Sequence, residues 1–384
     1  MIHWKETAEI FGRVADLSMR GRRAALATVV DIVGSAYRRP GAKLLIEDSG
    51  GTLGSVSGGC LEADVRASAA DVLATGTPSL RHYDTGEEDV AWGLGLGCNG
   101  QVDIFVQPAT QGPLVTLAPP VLRLLAGDTP VAIVTVVANG PEVGAMMAVE
   151  CPESSDGGGA GGAVYGSLGA TDLDGSAAEC ARRLATTERS AVHEVMGRKL
   201  FVEVLQPAPH LMICGAGADA RPLVSYAAAA GFRVALFDHR DVLLAPEWFP
   251  QAARRILARP EDAQIALPPA ARSLAVVKTH SLTHDREWVR RLLAAGFPYV
   301  GVLGPRGRTA SILRDVEARS DQSEPGHWDA GRPTETRVFG PVGLDLGADG
   351  PEQVAISIIA ELLAFIAKRD ARHLSQRRDA IHAI

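Results

Sequence analysis

The sequence lacks the short motifs that mark several common enzyme classes. It contains no GxSxG, HExxH, GxxxxGKS/T or CxxC pattern. Those patterns carry the nucleophile elbow of α/β-hydrolases, the zinc site of metalloproteases, the phosphate loop of nucleotide triphosphatases and the dithiol of thioredoxins. Their absence weighs against these four chemistries.

Cysteine and long apolar runs are also scarce. The sequence has five cysteines: Cys60, Cys98, Cys151, Cys180 and Cys214. They are odd in number and scattered, which does not suit a disulfide framework. No stretch approaches the roughly 20 apolar residues of a membrane helix. The N-terminal residues are amphipathic and lack the apolar core of a signal peptide. We therefore expect a reduced, cytoplasmic protein with no membrane span.

The charge balance excludes one further class. The net charge is −7, which argues against a general nucleic-acid binder, and any anion site must be a local basic cluster. Hydrophobic residues make up 46% of the 384 and charged residues 22%, as in soluble globular proteins. This length suggests two or three domains.

A pattern in the first half of the chain occurs twice. VAIVTVVA (131–138) is similar to AALATVVD (24–31), and residues 166–188 align without gaps to residues 54–76. This repetition predicts a degenerate internal duplication, with copies at about 22–108 and 131–207, within an N-terminal α/β domain over 1–207. The alternative is a chance similarity between two α/β segments.

The two copies differ at one loop. Cys60 of the first copy aligns with Asp172, and Gly58-Gly59 align with Ala170-Thr171. The second copy keeps the scaffold and loses the polar loop, so we expect the first copy to carry a site.

Residues 208–384 alternate between strand and helix patterns. Residues 210–240 show the order strand, glycine turn, helix and strand, and SLAVVKTH (273–280) and YVGVLG (299–304) are further buried strands, each followed by helix-like sequence. This alternation predicts a parallel, doubly wound sheet of the Rossmann type. The predicted fold class is therefore α/β throughout.

The first strand of this domain leads into GAGADA (215–220). Gly215 permits a tight turn, Gly217 allows a phosphate to approach the backbone, and Asp238 ends the next strand where an acid would bind ribose hydroxyls. This pattern favours a nucleotide or NAD(P). The alternative is a Rossmann scaffold without a tightly bound cofactor.

Two loops of the first copy combine positive charge with glycine. Arg38, Arg39 and Lys43 place three cations within six residues. The loop SVSGGCLE supplies Ser57, Gly58 and Gly59, whose backbone amides suit an anion.

Cys60 comes just before a predicted helix, where a thiolate is favoured for ligating a soft metal or carrying sulfur. Cys98, in the glycine-rich turn 93–101, would complete a two-cysteine site. The alternatives are a buried structural Cys60 and an incidental Cys98.

Two segments after later strands could also bind a ligand. THSLTHD contains His280, His284 and Asp285 and could hold a metal, although solvated loop residues, or a helix N-cap at Asp285, are the simpler interpretations. GPRGR contains Arg306 and Arg308, which could bind a phosphate or lie in a surface loop.

Several ordered blocks resemble the XdhC/CoxI family of dehydrogenase accessory proteins. ATVVDIVGSAYRRPGAKLLIEDSGGTLGSVSGGCLE resembles the family's N-terminal signature, and GCNGQVDIFVQP the second part of that domain. HLMICGAG, GFRVALFDHR, VVKTHSLTHD, YVGVLGPRGR and PVGLDLGADGPEQVAISIIAELLA resemble the blocks of its Rossmann-like domain, here 208–384.

The resemblance implies a maturation factor. Such proteins bind molybdenum cofactor, protect it from oxidation, present it for sulfuration by a cysteine desulfurase and deliver it to an apo-molybdenum hydroxylase of the xanthine or CO dehydrogenase type. Cys60 and Cys98 match the family's cysteine positions, which implies a catalytic or metal-handling role for both, with Cys60 nearest the metal. Arg38, Arg39 and Lys43 would then hold the pterin phosphate.

A second hypothesis is an NAD(P)-dependent oxidoreductase. In it, Gly215, Gly217 and Asp238 would bind the cofactor and the N-terminal half the substrate, but the sequence shows no convincing proton-transfer pair. A homodimer is expected only because two-fold dimers are the commonest assembly.

Overall fold

The chain divides into two compact units, Met1–Pro207 and Ala208–Ile384. The computed structural model describes residues 2–34, 36–59, 61–84, 100–152, 161–187, 189–262, 264–320 and 337–376. Within these ranges no helix has the length and hydropathy needed to cross a membrane.

The first unit contains two antiparallel sheets with the same strand order. The first sheet has the order β3-β2-β1-β5-β4 and the second β8-β7-β6-β10-β9. The strands of the first are β1 (Ala24–Gly34), β2 (Lys43–Glu47), β3 (Thr52–Gly54), β4 (Ser79–Asp84) and β5 (Gly100–Pro108). Those of the second are β6 (Val131–Ala138), β7 (Met146–Glu150), β8 (Val164–Ser167), β9 (Ala191–Val195) and β10 (Arg198–Leu205).

Each sheet carries one helix on one face. The described helices of this unit are α1 (Ile2–Met19), α2 (Glu62–Thr75), α3 (Pro113–Leu125) and α4 (Thr171–Ala185). Helix α2 packs on the first sheet and α4 on the second, each over a separate apolar core. Helix α1 is amphipathic, and its Ile10, Phe11, Val14 and Leu17 are all buried.

The two central strands are buried on both faces. Residues Ala24–Val30 of β1 are all buried, as the β-branched apolar run predicts. Because successive side chains of a strand point to opposite faces, Ala25, Ala27 and Val29 meet α2. Val30 faces the other way and packs with Phe105, Val137 and Phe201, which come from both sheets.

The second unit is built on one parallel sheet of the order β13-β12-β11-β14-β15-β16. Its strands are β11 (His210–Cys214), β12 (Arg233–Asp238), β13 (Arg254–Leu257), β14 (Ser273–Val277), β15 (Tyr299–Val302) and β16 (Val338–Phe339). Its described helices are α5 (Ala220–Ala229), α6 (Leu282–Ala294), α7 (Arg306–Ser320) and α8 (Pro351–Ile366), with short 3₁₀ turns at Asp241–Leu244, Ala270–Arg272 and Leu374–Gln376.

This strand order is that of a Rossmann-type sheet, in which strands are added first on one side of the first strand and then, from the fourth strand on, on its other side. Strands β11 and β14 lie side by side at that point, so their carboxyl ends define the crevice where such sheets bind ligands. The predicted α/β class with a Rossmann-like C-terminal domain is confirmed.

Candidate functional site

A surface pocket lies beside the loop that joins β3 to α2. It has a volume of about 420 Å³, within the range of small-molecule sites. Its lining combines two arginines, an aromatic ring and a glycine-rich loop: Tyr37, Arg38, Leu44, Thr52, Gly54, Ser55, Ser57, Gly58, Gly59, Glu62 and Arg66. Four of the predicted cofactor-binding residues, Arg38, Ser57, Gly58 and Gly59, are therefore brought together.

The carboxylate of Glu62 organises the loop. It accepts hydrogen bonds from the Ser57 amide and the Ser55 hydroxyl, each at 3.1 Å, and from the Ser57 hydroxyl. Burial raises the pKa of Glu62, but these hydrogen bonds outweigh burial and leave that pKa below its usual value. The loop therefore holds a carboxylate that stays ionised at neutral pH.

Part of the predicted amide cradle is already used within the loop. The Ser57 Oγ accepts hydrogen bonds from the amides of Gly59 and Leu61 at 3.1 and 3.2 Å. Gly59 has a φ of +115°, a conformation that glycine adopts most readily. The serine thus fixes the loop shape, and the pocket's positive charge comes from side chains.

The two arginines of the pocket differ in their partners. The Arg38 Nη2 donates to both carboxylate oxygens of Glu6, at 2.7 and 2.5 Å, so much of its charge is compensated. Arg66 is exposed and contacts only neutral oxygens among the described residues, Gly50 O at 3.3 Å and Thr52 Oγ1 at 3.4 Å. Arg66 is therefore the better placed cation for an incoming anion.

An aromatic ring stands at the edge of the pocket. Tyr37 is 71% exposed, and a Cβ placed on Gly58 would lie 3.7 Å from its ring. A side chain at Gly58 would only touch the ring at ordinary van der Waals distance, so the ring lies beside the loop and most of its surface is exposed. Such a ring suits contact with a planar heterocycle.

Two of the predicted cations lie elsewhere. Lys43 is 2% exposed and its Nζ forms an ion pair with Glu203 and hydrogen bonds to Thr7 Oγ1 and Gly41 O, both at 3.0 Å. Its ammonium points between the two sheets, and Lys43 is not one of the residues that line the pocket. Arg39 is exposed and does not belong to the described lining.

Cys60 and Cys98 lie outside the described residues, and their predicted roles stay predictions. The remaining cysteines, Cys151, Cys180 and Cys214, are buried free thiols. Their burial suits a structural role for these three.

The sequence did not single out three residues that give the pocket its ring and its charges: Tyr37, Glu62 and Arg66. The last two are four residues apart at the start of α2, a spacing that puts them on one helix face. That spacing, next to the glycine loop, was the available signal for Arg66. No comparable signal marked Tyr37.

The glycine turn of the second unit has the expected backbone. Gly215 has a φ of +120°, and a Cβ there would lie 2.5 Å from the Lys278 carbonyl oxygen. Only glycine fits so close to the end of β14. This turn connects β11 to α5, as the pattern GAGADA predicts.

Asp238 ends β12 but is engaged within the protein. Its carboxylate accepts hydrogen bonds from the Ala216 amide at 2.7 Å and from the Arg240 guanidinium at 2.9 Å to each oxygen. Burial raises the pKa of Asp238, but these bonds outweigh burial and lower it to about 2. A ribose would have to compete with these contacts.

The residues of THSLTHD and GPRGR are also tied internally. Asp285 accepts from Thr279 Oγ1 at 2.6 Å and from the Arg308 Nη2 at 2.6 Å. The N-cap of α6 is Ser281, whose side chain accepts from the His284 amide, so the expected N-cap at Asp285 is wrong. Among the described residues no group of three His, Cys, Asp or Glu side chains is placed to hold a metal.

Comparison with known proteins places this architecture in a family. The XdhC and CoxI family model matches residues 17–84, which span the pocket loop, and the XdhC Rossmann domain model matches residues 211–362. A probable xanthine dehydrogenase subunit from Bacillus subtilis (strain 168) is 31% identical over 343 residues, covering 88% of this chain and 92% of that protein. The chain belongs to the XdhC and CoxI family, which confirms the predicted resemblance.

Two further relatives are informative. The molybdenum cofactor insertion chaperone PaoD of Escherichia coli (strain K12) is 34% identical over 86 residues, which is 22% of this chain and 26% of PaoD. The crystal structure of a xanthine dehydrogenase from Bacillus halodurans superposes with a TM-score of 0.70 at 26% identity, covering 96% of this chain and 98% of that one.

Proposed function

We propose that this protein binds molybdenum cofactor in the pocket beside the β3–α2 loop and delivers it to a molybdenum hydroxylase of the xanthine dehydrogenase type. The cofactor is cargo here, bound and then released to the hydroxylase. The observation that carries the proposal is the pocket itself, with an arginine free of carboxylate partners among the described residues, an open aromatic ring and a structured loop that leads to Cys60.

The pocket residues match the chemical parts of the cargo. A guanidinium pairs well with a phosphate, and Arg66, with Arg38 beside it, supplies that group. The open face of Tyr37 suits a flat, bicyclic pterin. These contacts use two different parts of the ligand, so together they orient it in one direction.

The relatives support the same cargo. One is named a molybdenum cofactor insertion chaperone and another a probable xanthine dehydrogenase subunit. In our proposal the partners are therefore an apo-molybdenum hydroxylase and, for sulfuration of the cargo, a cysteine desulfurase. A cytoplasmic location follows from these partners.

Cys60 is the proposed sulfur or metal-handling group. It follows Gly59, at the end of the loop that lines the pocket, and a thiolate is a good ligand for a soft metal and a good acceptor of sulfur. Cys98 is the proposed second thiol.

The test is transfer of activity to an apo-hydroxylase. The protein, loaded in a molybdenum-replete host, is mixed with the apo-enzyme, and hydroxylase activity is followed. We expect Cys60→Ser to stay folded yet leave the hydroxylase near its background activity. Cys180→Ala, which removes a buried thiol of α4, serves as the matched control and should transfer like the wild type. Full hydroxylase activity with Cys60→Ser would remove the thiol from the mechanism.

A second candidate is an NAD(P)-dependent oxidoreductase, favoured by the Rossmann strand order and the backbone of the Gly215–Gly217 turn. Titration with NADH and NADPH, followed by nicotinamide fluorescence, separates the two. Tight binding with turnover of the nicotinamide would favour the oxidoreductase. We expect neither, because Asp238 is already bound to Arg240 and the Ala216 amide.

A further inference from the structure

The glycine turn of the second unit contains a carboxylate where a dinucleotide-binding turn receives a phosphate. In such turns the second glycine leaves space for the pyrophosphate to approach the backbone. Gly217 is that glycine, and a Cβ placed on it would lie 2.6 Å from the Asp219 Oδ1. The space that the missing side chain leaves is therefore filled by Asp219.

Two basic side chains hold this carboxylate in place. The Lys278 Nζ lies 2.8 Å from Asp219 Oδ1, and the His280 Nε2 lies 3.4 Å from Asp219 Oδ2. The side chain of Lys278 is 2% exposed, and no acceptor among the described residues is aligned for a hydrogen bond with its ammonium. Asp219 is thus the nearest counter-ion of a buried positive charge, and its removal would leave Lys278 with only the weaker influence of Asp238.

The position is also one that favours an anion. Helix α5 begins at Ala220, directly after Asp219, and the N-terminal end of a helix attracts negative charge. Burial raises the pKa of Asp219, but the Lys278 ion pair outweighs burial, so that pKa lies below its usual value. The carboxylate is negatively charged at neutral pH.

We propose that Asp219 is an internal anion that occupies the phosphate position of this turn and prevents it from binding a nucleoside diphosphate or the pyrophosphate of a dinucleotide. An incoming phosphate meets a negative charge in the space that it would need. Asp219 is therefore a specificity-determining residue that separates this domain from NAD(P)-binding ones. The proposal concerns the second unit alone and does not depend on the cofactor pocket of the first.

The test is the affinity for ADP, measured by calorimetry on the full chain, with NADH as a second probe. We expect wild type to bind ADP most weakly, Asp219→Asn to bind it more tightly and Asp219→Ala about 10- to 100-fold more tightly than wild type, as one charge-assisted contact implies. The gain arises because the alanine variant removes the direct ion-pair partner of Lys278 and opens the space above Gly217.

Two controls isolate this contact. Adding Lys278→Met to Asp219→Ala should abolish the gain, because the phosphate then has no buried cation to pair with. Asp241→Ala removes an exposed negative charge that follows β12 and should leave the ADP affinity unchanged.

Equal ADP affinity in wild type, Asp219→Asn and Asp219→Ala would overturn the proposal. So would wild-type binding as tight as that of the alanine variant. Circular dichroism and thermal unfolding establish that the variants are folded. If the alanine variant does not fold, Asp219→Asn, which keeps the shape of the side chain and loses its charge, decides the question by the same criterion.

Discussion

Lys43 is a charged residue used for packing. It starts β2 of the first sheet, and its partner Glu203 lies on β10 of the second sheet, 160 positions later in the chain. Both side chains are 3% exposed. A buried ion pair adds little over an apolar pair, but the loss of one partner leaves an isolated buried charge. Lys43 and Glu203 therefore tie the two sheets together.

We predict that Lys43→Met lowers the free energy of unfolding of the first unit by about 3 kcal/mol, the usual loss when one partner of a buried pair is removed. Glu203→Leu introduced together with Lys43→Met should recover most of that loss, because no charge then stays buried. Urea unfolding of both variants measures the effect. An unchanged midpoint in the single variant would show that the pair does not form.

Asp238 gives the second unit a pH dependence. Its pKa falls from 3.8 to about 2 on folding because of the bonds from Arg240 and the Ala216 amide, which outweigh burial. A lowered acid pKa stabilises the fold above pH 3.8, and the contribution disappears as the pH falls towards 2.

We expect Asp238→Asn to be less stable than wild type by about 2 kcal/mol at neutral pH, from the size of the pKa shift. The difference should shrink below pH 4 and vanish near pH 2. Urea midpoints across this pH range, followed by the fluorescence of the buried Trp288, test it. A gap of constant size at every pH would contradict the assignment.

Lys43 also shows why closeness in sequence is a weak guide to a shared site. The sequence groups it with Arg38 and Arg39, but it begins a strand whose first side chain points inward. Its partner is distant in the chain, and no local pattern announces it. The conformation of Gly215 was predictable because its need for a positive φ is local.

At the scale of elements, the two halves of the first unit differ mainly in the loop that precedes the helix on each sheet. Helix α4 begins at Thr171, which aligns with Gly59, whereas α2 begins only at Glu62. Glycines 54 and 166 occupy equivalent positions, with φ values of +87° and +80°, and a Cβ at either would meet a carbonyl oxygen of the neighbouring strand at 2.3 or 2.5 Å. The scaffold is thus shared, and the later start of α2 leaves room for the loop that lines the pocket.

Glu62 should be the residue that keeps this loop ordered. We predict that Glu62→Ala speeds hydrogen exchange of the Ser57 amide and lowers the stability of the loop by about 1–3 kcal/mol, since its carboxylate accepts three hydrogen bonds. Asp174→Ala, at the aligned position of α4, is the control, because Asp174 accepts a hydrogen bond from the Leu168 amide and does not touch the pocket loop. Unchanged exchange at Ser57 in Glu62→Ala would exclude this role.

The order of strands and helices was readable because periodicity is local. Continuous β-branched apolar runs predicted the central strands, and the glycine turn after HLMIC predicted the start of α5. The difference between α2 and α4 was visible as a loss of glycine in the alignment. The hydrogen bonds from Ser55 and Ser57 to Glu62 were not visible, because they depend on the folded path of the loop.

For the whole molecule, the α/β class and the Rossmann-like second unit were predictable from alternating elements alone. The function of each unit could not be predicted from these elements alone. The glycine pattern of the second unit suggested a nucleotide, yet Asp219 and Asp238 are held by neighbouring side chains there. The pocket of the first unit forms only when folding brings Tyr37 and Arg66 beside the glycine loop.

The most direct test of the cofactor pocket is the molybdenum and pterin content of protein purified from a molybdenum-replete host. We predict that Arg66→Ala retains about tenfold less of both than wild type, the loss expected for one charge-assisted contact. Arg183→Ala, an exposed arginine on α4, should retain as much as wild type. Equal contents in Arg66→Ala and wild type, or an absence of molybdenum and pterin from wild type, would contradict the pocket as the cofactor site.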